Sequence, residues 1–237
     1  MYIYRLMDEV YECSIVERVN RFVVLIEMEG RRYRARITNT GRLHGLLYRG
    51  AKGYCIRNRG GSTDYHLIGI NVGLGDRAAL IDTKLQEDVF YNAASDEAIP
   101  WLKPYTIVKR YPKVEGRRLD FKIGYGDKLG FIELKSAVLL HDGIYGGYPD
   151  CPSIRGRDHI RILINLKRRG YRAILAFVVA HPLAVAFKPY RKGDPIIASL
   201  MEEAHKIGVE TYALKMSFLP IKELIIIENF QVKINYI

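Results

Sequence analysis

Short runs in which apolar and polar residues alternate fill the first third of the chain and predict β-strands separated by turns. Glycines mark several of these turns, among them Gly30 and the Gly60-Gly61 pair. The strands are predicted over residues 21–29, 31–38, 51–58 and 65–72. About five short strands in a segment of this length are typical of a small β-barrel or sandwich.

The pattern changes after Ile81, where apolar positions begin to recur at helical spacing, with Leu85, Val89 and Ala93 on one side. Two further helices are predicted from their end signals, since both end at a glycine and the second opens with Asp-Pro. These helices are predicted over residues 155–170 and 194–208, and strands over residues 105–110, 171–180, 209–218 and 223–233. We therefore predict a mixed α/β chain, with a small β-barrel in residues 1–81 and a domain with a central mixed sheet in residues 82–237.

Residues 117–136 predict a β-hairpin with charged residues on one face. Two alternating runs flank residues 126–127, a Gly-Asp pair of the Gly-first type that closes a two-residue loop. Counting outward from this loop along both strands sets Asp120 opposite Glu133, with Lys135 on the same face. The Cβ atoms of such cross-strand neighbours lie about 5 Å apart, and like charges there destabilise a sheet. The two carboxylates therefore predict a neutralising partner.

A divalent cation would neutralise Asp120 and Glu133, because carboxylates are the hard oxygen ligands that Mg²⁺ and Mn²⁺ prefer. Such an ion keeps coordination positions for water and a substrate phosphate, and Lys135 would orient the attacking water or stabilise charge on the phosphate. The pattern predicts a metal-dependent phosphodiester hydrolase with Asp120, Glu133 and Lys135 as catalytic residues. The alternative is a surface hairpin on which Lys135 or Lys122 forms solvated ion pairs with the acids, since this spacing also occurs by chance.

Composition adds a candidate partner for the chain. The 237 residues are 49% hydrophobic, which is enough to fill a real core. The 37 lysines and arginines against 26 acidic residues leave a net charge of +11. Such a balance favours polyanions as partners, with DNA the leading candidate and RNA an alternative.

The cysteines and the apolar segments indicate a cytoplasmic protein that does not bind membranes. The three cysteines lie far apart and form no Cys-x-x-Cys pattern, so neither a disulfide framework nor a zinc site is indicated. Residues 1–12 carry acids and lack the apolar core of a signal peptide. The longest apolar stretch, residues 173–187, contains a His-Pro step and is too short to span a bilayer. None of these patterns indicates an oligomeric state.

The basic residues are concentrated in one segment of the predicted barrel. Residues 31–59 contain no acid and nine basic residues: Arg31, Arg32, Arg34, Arg36, Arg42, Arg49, Lys52, Arg57 and Arg59. Tyr33, Tyr48 and Tyr54 lie among them, as on surfaces where guanidinium groups bind phosphates and rings stack on bases. We assign nucleic-acid binding to part of this segment and of the second helix: Arg32, Arg34, Arg36, Arg42, Arg155, Arg157 and Arg161. The alternative is a barrel face whose arginines are only solvated.

Two further polar residues have two interpretations each, and one short polar run favours a turn. His159 on the second helix could contact a phosphate or serve in capping or packing. Asp150, in a loop between two prolines, could reach the metal or form a turn. Residues 39–41, Asn-Thr-Gly, follow the arginine-rich strand and favour a structural turn.

The order of the elements predicted from residue 83 to residue 180 is helix, three strands, helix, strand, which resembles the core of the restriction-endonuclease-like fold. Nucleases of this type, written PD-(D/E)xK, carry an acid on the second core strand and Glu/Asp-x-Lys on the third. Asp120 and the run Glu133-Leu134-Lys135 occupy those places in this chain.

More specifically, the chain resembles the sugar fermentation stimulation protein A (SfsA) family over most of its length. The similar motifs are Arg21-Phe22 with Gly30, Asn39-Thr40-Gly41-Arg42, Leu46-Leu47 with Gly50, Arg118-Leu119-Asp120-Phe121, Glu133-Leu134-Lys135-Ser136, Tyr148-Pro149-Asp150-Cys151-Pro152, and Arg155-Gly156 with His159. The resemblance implies an OB-fold-like N-terminal domain, a nuclease-like C-terminal domain, and DNA binding associated with the regulation of sugar-utilisation genes. A DNA-binding regulator that leaves the acidic site unused is therefore the alternative to a nuclease.

The chain departs from the family pattern at the first predicted helix. The family's Asn-Thr before this helix is Asp82-Thr83 here, and its paired glutamates are Tyr91-Asn92. The resemblance therefore does not place a third acidic metal ligand, and Glu87 and Asp88 are the candidates for it.

Overall fold

The computed structural model describes residues 1–236 of the chain. This part contains eighteen strands, three α-helices and one short 3₁₀ helix. The strands are β1 (Tyr2–Arg5), β2 (Tyr11–Arg18), β3 (Val23–Met28), β4 (Arg31–Arg36), β5 (Lys52–Arg57), β6 (Tyr65–Leu74), β7 (Arg77–Leu80), β8 (Thr106–Arg110), β9 (Lys113–Val114), β10 (Arg117–Arg118), β11 (Phe121–Tyr125), β12 (Lys128–Ser136), β13 (Leu139–His141), β14 (Tyr145–Tyr148), β15 (Arg172–Val179), β16 (Ala186–Pro189), β17 (Glu210–Leu219) and β18 (Leu224–Asn229). The helices are α1 (Thr83–Ser95), α2 (Ile154–Arg168) and α3 (Pro195–Ile207), and the 3₁₀ helix is Pro220–Lys222.

The N-terminal strands form a small closed barrel, as predicted. Strands β4, β3, β2, β5 and β6 are hydrogen-bonded in this order, and a parallel pairing of β4 with β6 closes the ring. Alternate residues face its interior, so Val24 and Ile26 of β3 and Leu67 of β6 are fully buried. Closure leaves these short strands without the unpaired edges on which proteins aggregate.

One continuous sheet joins the barrel to the rest of the chain. β7 pairs with β6 on one side and with β17 on the other, so the order runs β4-β3-β2-β5-β6-β7-β17-β15-β12-β11-β8. β18 pairs with β17 and with β1, which puts Tyr2–Arg5 in the C-terminal part of the sheet. The boundary predicted near Ile81 falls between β7 and α1, and the sheet continues across it.

Phe218 of β17 fills the joint between the barrel and the C-terminal sheet. Its side chain is fully buried and lies edge-on to Tyr54 of β5, with the ring centroids 6.0 Å apart. A Cβ at Gly69 of β6 would lie 2.7 Å from the ring, so the close approach requires a glycine. The contact of the Phe218 ring with Gly69 therefore packs the barrel against the C-terminal sheet.

The C-terminal sheet has helices on both faces. β12, β15 and β17 are parallel neighbours, and β11 and β8 extend the sheet in antiparallel pairs. Along β15, Ile174 and Ala176 belong to the core that contains α1, whereas Leu175 and Phe177 pack with α2 and α3. This arrangement confirms the predicted mixed α/β chain with a large mixed sheet.

Side-chain caps fix the starts of the helices. Asp82 and Ser153 accept hydrogen bonds from backbone N–H groups in the first turns of α1 and α2. Asp194 caps α3 in the same way, and Gly208 in the left-handed region ends it, as predicted. No helix within residues 1–236 is long and apolar enough to cross a membrane.

We expect Phe218→Ala to destabilise the protein by about 3–5 kcal/mol, the usual cost of removing a buried phenylalanine ring. Because the ring joins barrel and sheet, both should lose stability in one urea transition, followed by circular dichroism and by the fluorescence of Trp101. Ile221→Ala is the control, because that side chain is 85% exposed and its loss should change stability by less than about 0.5 kcal/mol. Equal midpoints for the two variants would contradict this role of Phe218.

Candidate metal and nucleic-acid site

The hairpin that carries the predicted carboxylates has the register expected from its loop. β11 and β12 form an antiparallel ladder that ends with Phe121 opposite Ile132. The pairs from Tyr125 opposite Lys128 to Phe121 opposite Ile132 confirm the predicted register, and Asp120 and Glu133 are the next residues along it. Phe131, on the same face of β12 as Glu133, belongs to the core that contains α2, so the carboxylates lie on the side of the sheet that α2 covers.

Asp120 directly precedes β11, and its backbone and one side-chain oxygen are already hydrogen-bonded. Its carbonyl accepts from the N–H of Tyr111 at 2.9 Å, and its Oδ2 accepts from the N–H of Leu134 at 2.7 Å. Burial raises the pKa of this carboxyl well above its ordinary value, and the nearby charge of Glu133 raises it further. Without a cation beside it, Asp120 is therefore biased toward its protonated form.

Glu133 is 2% exposed and uses only one side-chain oxygen for contacts within the described residues. Its Oε1 contacts both the ammonium group of Lys135 and Nδ1 of His159. Burial would raise the pKa of the Glu133 carboxyl, but Lys135 and His159 outweigh burial and leave the pKa lowered. Its Oε2 is buried and has no hydrogen-bond partner among residues 1–236. A buried, ionised oxygen of this kind is suited to bind a cation.

Lys135 lies beside the carboxylates, as predicted. Burial would lower the pKa of its ammonium group, but the surrounding acidic groups, with Glu133 the strongest of them, together outweigh burial and raise it. The side chain is 12% exposed and that of Glu133 is 3% exposed. The two groups therefore form a buried ion pair and not the solvated surface pair of the alternative interpretation.

His159 supports this cluster from α2, a role that the sequence left undecided. It is buried, and Nε of Arg155 lies 3.4 Å from its Nε2. Its Nδ1 also lies 3.2 Å from Nζ of Lys135, and because the ionised carboxylate of Glu133 only accepts hydrogen bonds, Nδ1 is assigned the proton that it donates to Oε1 of Glu133. His159 thus holds the carboxylate in place. The sequence signal for this role was a polar residue on the apolar side of α2, four positions before Leu163.

The candidates for a third acidic ligand belong to a neighbouring ion-pair network. Glu87 and Asp88 of α1 both contact the guanidinium group of Arg110. Glu87 also lines the same cleft as Asp120, and its charge contributes to the raised pKa of that carboxyl. Within residues 1–236, no group of three or more histidine, cysteine or acidic side chains is positioned to hold one metal ion. The chain therefore offers two clustered carboxylates, those of Asp120 and Glu133.

The two carboxylates lie in a cleft of about 460 Å³ between the barrel and the C-terminal sheet. The barrel contributes Arg21, Arg36 and residues 38–41 to its walls, and the C-terminal part contributes α1, the hairpin, Tyr148 and Arg155. A cleft of this volume is in the range of sites that enclose one small molecule. Its walls place arginine side chains close to the buried carboxylate of Glu133 and the half-buried carboxylate of Asp120.

Asp150 fastens the barrel to the wall of this cleft. Its Oδ2 accepts a hydrogen bond from the N–H of Leu43 at 2.8 Å. A Cβ at Gly41 would overlap the Asp150 carboxylate, so only glycine fits there. Asn39 accepts from the N–H of Gly41 through its side chain, which confirms the predicted turn. Arg18 donates to backbone carbonyls of the same turn. Asp150 therefore has a structural contact across the joint that the sequence did not indicate.

Of the seven arginines predicted to bind nucleic acid, six are exposed and one is paired with a buried carboxylate. Six are exposed: Arg32, Arg34, Arg36, Arg42, Arg155 and Arg161. Arg36 and Arg155 also line the cleft. Arg157 differs, because its guanidinium group is held by the buried carboxylate of Asp194 at 3.0 Å and 3.1 Å. Arg157 therefore serves the contact between α2 and the start of α3.

The basic segment of the barrel is less one-sided in charge than its sequence suggests. Three of its basic residues pair with acids from outside the segment: Arg32 with Glu27, Lys52 with Glu12, and Arg59 with Asp8. Exposed pairs of this kind contribute little to stability, but they reduce the local positive charge. The residues closest to the cleft, Arg36 and Arg42, have no such acid partner among residues 1–236.

The donor set at the hairpin fits a hard divalent cation such as Mg²⁺ or Mn²⁺. Two carboxylates share one site, and the Oε2 of Glu133 is unpartnered among residues 1–236. Burial and then the charge of Glu133 raise the pKa of Asp120. A cation relieves that repulsion, and water and phosphate oxygens complete the coordination of such ions.

Two family models match this chain and together cover most of it. One, described as the SfsA N-terminal OB domain, matches residues 16–81, and the other, described as the sugar fermentation stimulation protein RE domain, matches residues 84–221.

Relatives and a solved structure are similar over nearly the whole chain. A sugar fermentation stimulation protein homolog of Pyrococcus furiosus is 45% identical over 208 residues, which span 88% of this chain and 89% of the relative. One of Archaeoglobus fulgidus is 41% identical over 213 residues, which span 90% of this chain and 91% of the relative. A structure described as Pyrococcus furiosus SfsA in complex with Ca²⁺ is 41% identical and has a TM-score of 0.90, with 98% of this chain and 99% of that chain covered.

We expect Asp120 to contribute a loss of stability to the metal-free protein as the pH rises above its ordinary pKa of 3.8, because its raised pKa means that the folded state binds this proton more tightly than the unfolded state. Glu133 acts in the opposite sense, since its pKa is lowered, but its contribution is complete above its ordinary pKa of 4.5. His181, whose pKa is lowered to about 4, also adds stability as the pH rises, so the contribution of Asp120 is read as the difference in stability between the wild type and Asp120→Asn. This difference should change in favour of Asp120→Asn as the pH rises, measured by urea unfolding in EDTA.

Asp127→Asn is the matched control for this titration, because Asp127 is an exposed residue of the hairpin loop. It should retain the wild-type pH dependence. A plot of stability against pH for Asp120→Asn that runs parallel to that of the wild type would show that the pKa of Asp120 is not raised in the folded state.

Proposed function

The chain belongs to the sugar fermentation stimulation protein family, and we propose that it binds DNA and hydrolyses phosphodiester bonds at a divalent-metal site formed by Asp120 and Glu133, with Lys135 as the third catalytic residue. One observation carries this proposal. Two carboxylates face each other across the hairpin, beside a buried lysine and inside a cleft whose walls carry arginines.

Each polar group of the cluster has a separate task in this proposal. A bound Mg²⁺ or Mn²⁺ would supply Lewis-acid stabilisation of phosphate charge and a more acidic water. Asp120 and Glu133 hold the ion, Glu133 through the Oε2 that its protein partners leave unused. Lys135 keeps its ammonium group charged at the edge of the cleft, where it can donate to an attacking water or to a phosphate oxygen.

A divalent cation as ligand is supported by the related Pyrococcus furiosus structure, which is described as a complex with Ca²⁺. Calcium and magnesium are both hard cations that prefer oxygen ligands, so carboxylates suited to one are candidates for the other. The requirement for Mg²⁺ or Mn²⁺ in this chain is part of the proposal.

DNA is the proposed partner because exposed arginines continue outward from the cleft. Arg36 and Arg155 line the cleft, and Arg32, Arg34 and Arg42 lie exposed on the barrel beyond it. Guanidinium groups bind phosphates irrespective of sequence, and a net charge of +11 favours the approach of a polyanion. RNA offers the same phosphates and is the alternative ligand.

The second candidate function is a DNA-binding regulator of sugar-utilisation genes that does not cleave DNA. It is favoured by the contacts of Glu133, whose charge is already held by Lys135 and His159. In this alternative the cluster serves to stabilise the hairpin, and the arginines alone carry the function.

We expect Mg²⁺ or Mn²⁺ to raise the melting temperature by about 5–10 °C at concentrations near 100 times its dissociation constant, because binding stabilises the folded state by about 2.7 kcal/mol. Asp120→Asn and Glu133→Gln should abolish this shift, whereas Asp127→Asn in the exposed loop should retain it. Lys135→Ala should retain the shift and lower any cleavage of labelled single-stranded or double-stranded DNA by about 100- to 1000-fold. A full thermal shift in Asp120→Asn and Glu133→Gln would place the ion elsewhere. Metal binding without cleavage by the wild type would favour the regulator.

We expect the triple variant of Arg32, Arg34 and Arg36 to alanine to bind DNA more weakly and with a flatter salt dependence. Each phosphate contact on duplex DNA contributes about 0.9 to the slope of log K against log salt, so the slope should fall by up to about 2.7. The measurement is a fluorescence anisotropy titration at several salt concentrations. The matched control removes three arginines that pair with acids elsewhere, Arg168, Arg169 and Arg191. Equal slopes for the two triple variants would exclude this face of the barrel.

A further inference from the structure

We infer that Cys13 and Cys55 are a site of disulfide formation inside the barrel, where the bond joins β2 to β5. This inference goes beyond the proposed function, because no step of it depends on DNA or on a metal ion. It is carried by the contact between the two sulfur atoms, by the space that a glycine leaves beside them, and by apolar surroundings that offer the sulfurs no other partner.

The two sulfur atoms are close to each other in the folded barrel. Sγ of Cys13 lies 3.1 Å from Sγ of Cys55, which is about 1 Å more than the S–S bond of a disulfide at about 2.05 Å. Thiols are weak donors and weak acceptors of hydrogen bonds, so two thiols gain little from such a short contact. Rotation about the Cα–Cβ bonds moves both sulfur atoms and can supply the remaining approach.

The hydrogen-bond register explains why the cysteines meet. In the antiparallel pairing of β2 with β5, Cys13 stands opposite Gly53 and Tyr11 stands opposite Cys55. The two cysteines are therefore diagonal neighbours on one face of this strand pair. They are 4% and 0% exposed, so this face is the interior of the barrel. The 42 positions that separate them along the chain gave no sign of this contact.

Gly53 leaves the space that Sγ of Cys13 occupies. A Cβ at this position would lie 3.1 Å from that sulfur and 2.9 Å from Cδ1 of Leu67, closer than ordinary van der Waals contact. A glycine inside a strand weakens the strand and often marks a place where another group approaches closely. The group that approaches Gly53 is the sulfur of Cys13, on the side where Cys55 lies.

The surroundings of the sulfurs are apolar and do not form a metal site. Ile15 and Leu67 lie beside Gly53, and no group of three or more histidine, cysteine or acidic side chains within residues 1–236 is placed to hold one ion. A structural zinc ion requires four such ligands. Because a disulfide carries neither a charge nor an S–H donor, it suits this interior better than two thiols.

The bond forms by exchange with a low-molecular-weight disulfide such as oxidised glutathione. One cysteine loses its proton, and its thiolate attacks the glutathione disulfide, which gives a mixed disulfide and releases one glutathione. The thiolate of the other cysteine then attacks the protein sulfur of the mixed disulfide and releases the second glutathione. The cysteines lose two electrons, and the two glutathione molecules take up these electrons and the two protons.

This exchange belongs to folding and not to the closed barrel. Burial and the neighbouring Cys13 raise the pKa of the Cys55 thiol, so the reactive thiolate is disfavoured once the barrel has formed. Both thiols are also out of reach of a dissolved disulfide. The bond therefore forms before the pairing of β4 with β6 closes the ring, and the closed barrel then protects it from reductants.

The test refolds the full chain from urea in two buffers, one with reduced and oxidised glutathione and the other with dithiothreitol. Trypsin digestion of the protein refolded with glutathione should yield residues 6–18 joined to residues 53–57, the two peptides that contain Cys13 and Cys55. Thiols are counted in Cys151→Ala by mass spectrometry after unfolding in N-ethylmaleimide, because Cys151 is a free thiol outside the barrel pair. This variant should carry no maleimide after refolding with glutathione and two after refolding with dithiothreitol.

The disulfide should also raise the melting temperature, because it closes a long loop and restricts the unfolded chain. We expect the form refolded with glutathione to melt about 5–15 °C above the reduced form, the usual effect of such a bond in a chain of this size. Cys151→Ala is the matched control and should retain this difference. Cys13→Ala and Cys55→Ala should each melt at one temperature in both buffers.

Three results would overturn the inference: two maleimides on Cys151→Ala after refolding with glutathione, a linked peptide that contains Cys151, or equal melting temperatures of the two wild-type forms. The linked peptide and the thiol count are read in chains that keep both barrel cysteines, so they decide the question even where Cys13→Ala does not fold. Failure of the protein to bind or cleave DNA overturns the proposed function and leaves this inference standing.

Discussion

The hydrogen-bond register of one hairpin brings together two carboxylates that repel each other. Backbone pairing of β11 with β12 ends with Phe121 opposite Ile132, so the next residues along the two strands, Asp120 and Glu133, are held close to each other. Burial strengthens the repulsion, because charges interact more strongly where water is excluded. Lys135 and His159 relieve this repulsion at one oxygen of Glu133. A proton on Asp120 and a bound cation are then two alternative ways to neutralise the remaining negative charge. Whether the site holds a proton or a cation therefore depends on the pH and on the concentration of the cation.

The cleft around these carboxylates requires both parts of the chain. The pairing of β7 with β17 and the seating of Phe218 against Gly69 join the barrel to the C-terminal sheet. The contact of Asp150 with residues 41–43 then holds a turn of the barrel against the site. As a result, arginines of the barrel border a cleft whose acidic floor belongs to the C-terminal sheet. In the proposed function, binding of phosphates and chemistry on phosphates would therefore be divided between the two parts.

The two proposed functions use the same surface and differ in the state of the cluster. A regulator requires the arginines and a stable hairpin, for which the contacts of Lys135 and His159 with Glu133 are sufficient. A nuclease also requires the unused oxygen of Glu133 and the charged ammonium group of Lys135. The buried and unpartnered oxygen costs free energy in a protein that only binds DNA, which is the physical reason for ranking the nuclease first.

The sequence by itself determined the features that depend on local periodicity and turn chemistry. The alternation of residues predicted four of the five barrel strands, without β2. The Gly-Asp loop at residues 126–127 predicted the register of the hairpin, because a two-residue loop leaves one alignment of its strands. Only the tertiary structure decided which distant groups meet. His159 of α2 contacts Glu133 of β12, Arg157 pairs with Asp194, and Asp150 accepts a hydrogen bond from Leu43 of the barrel. Such contacts depend on how whole elements pack, and no spacing along the chain encodes them.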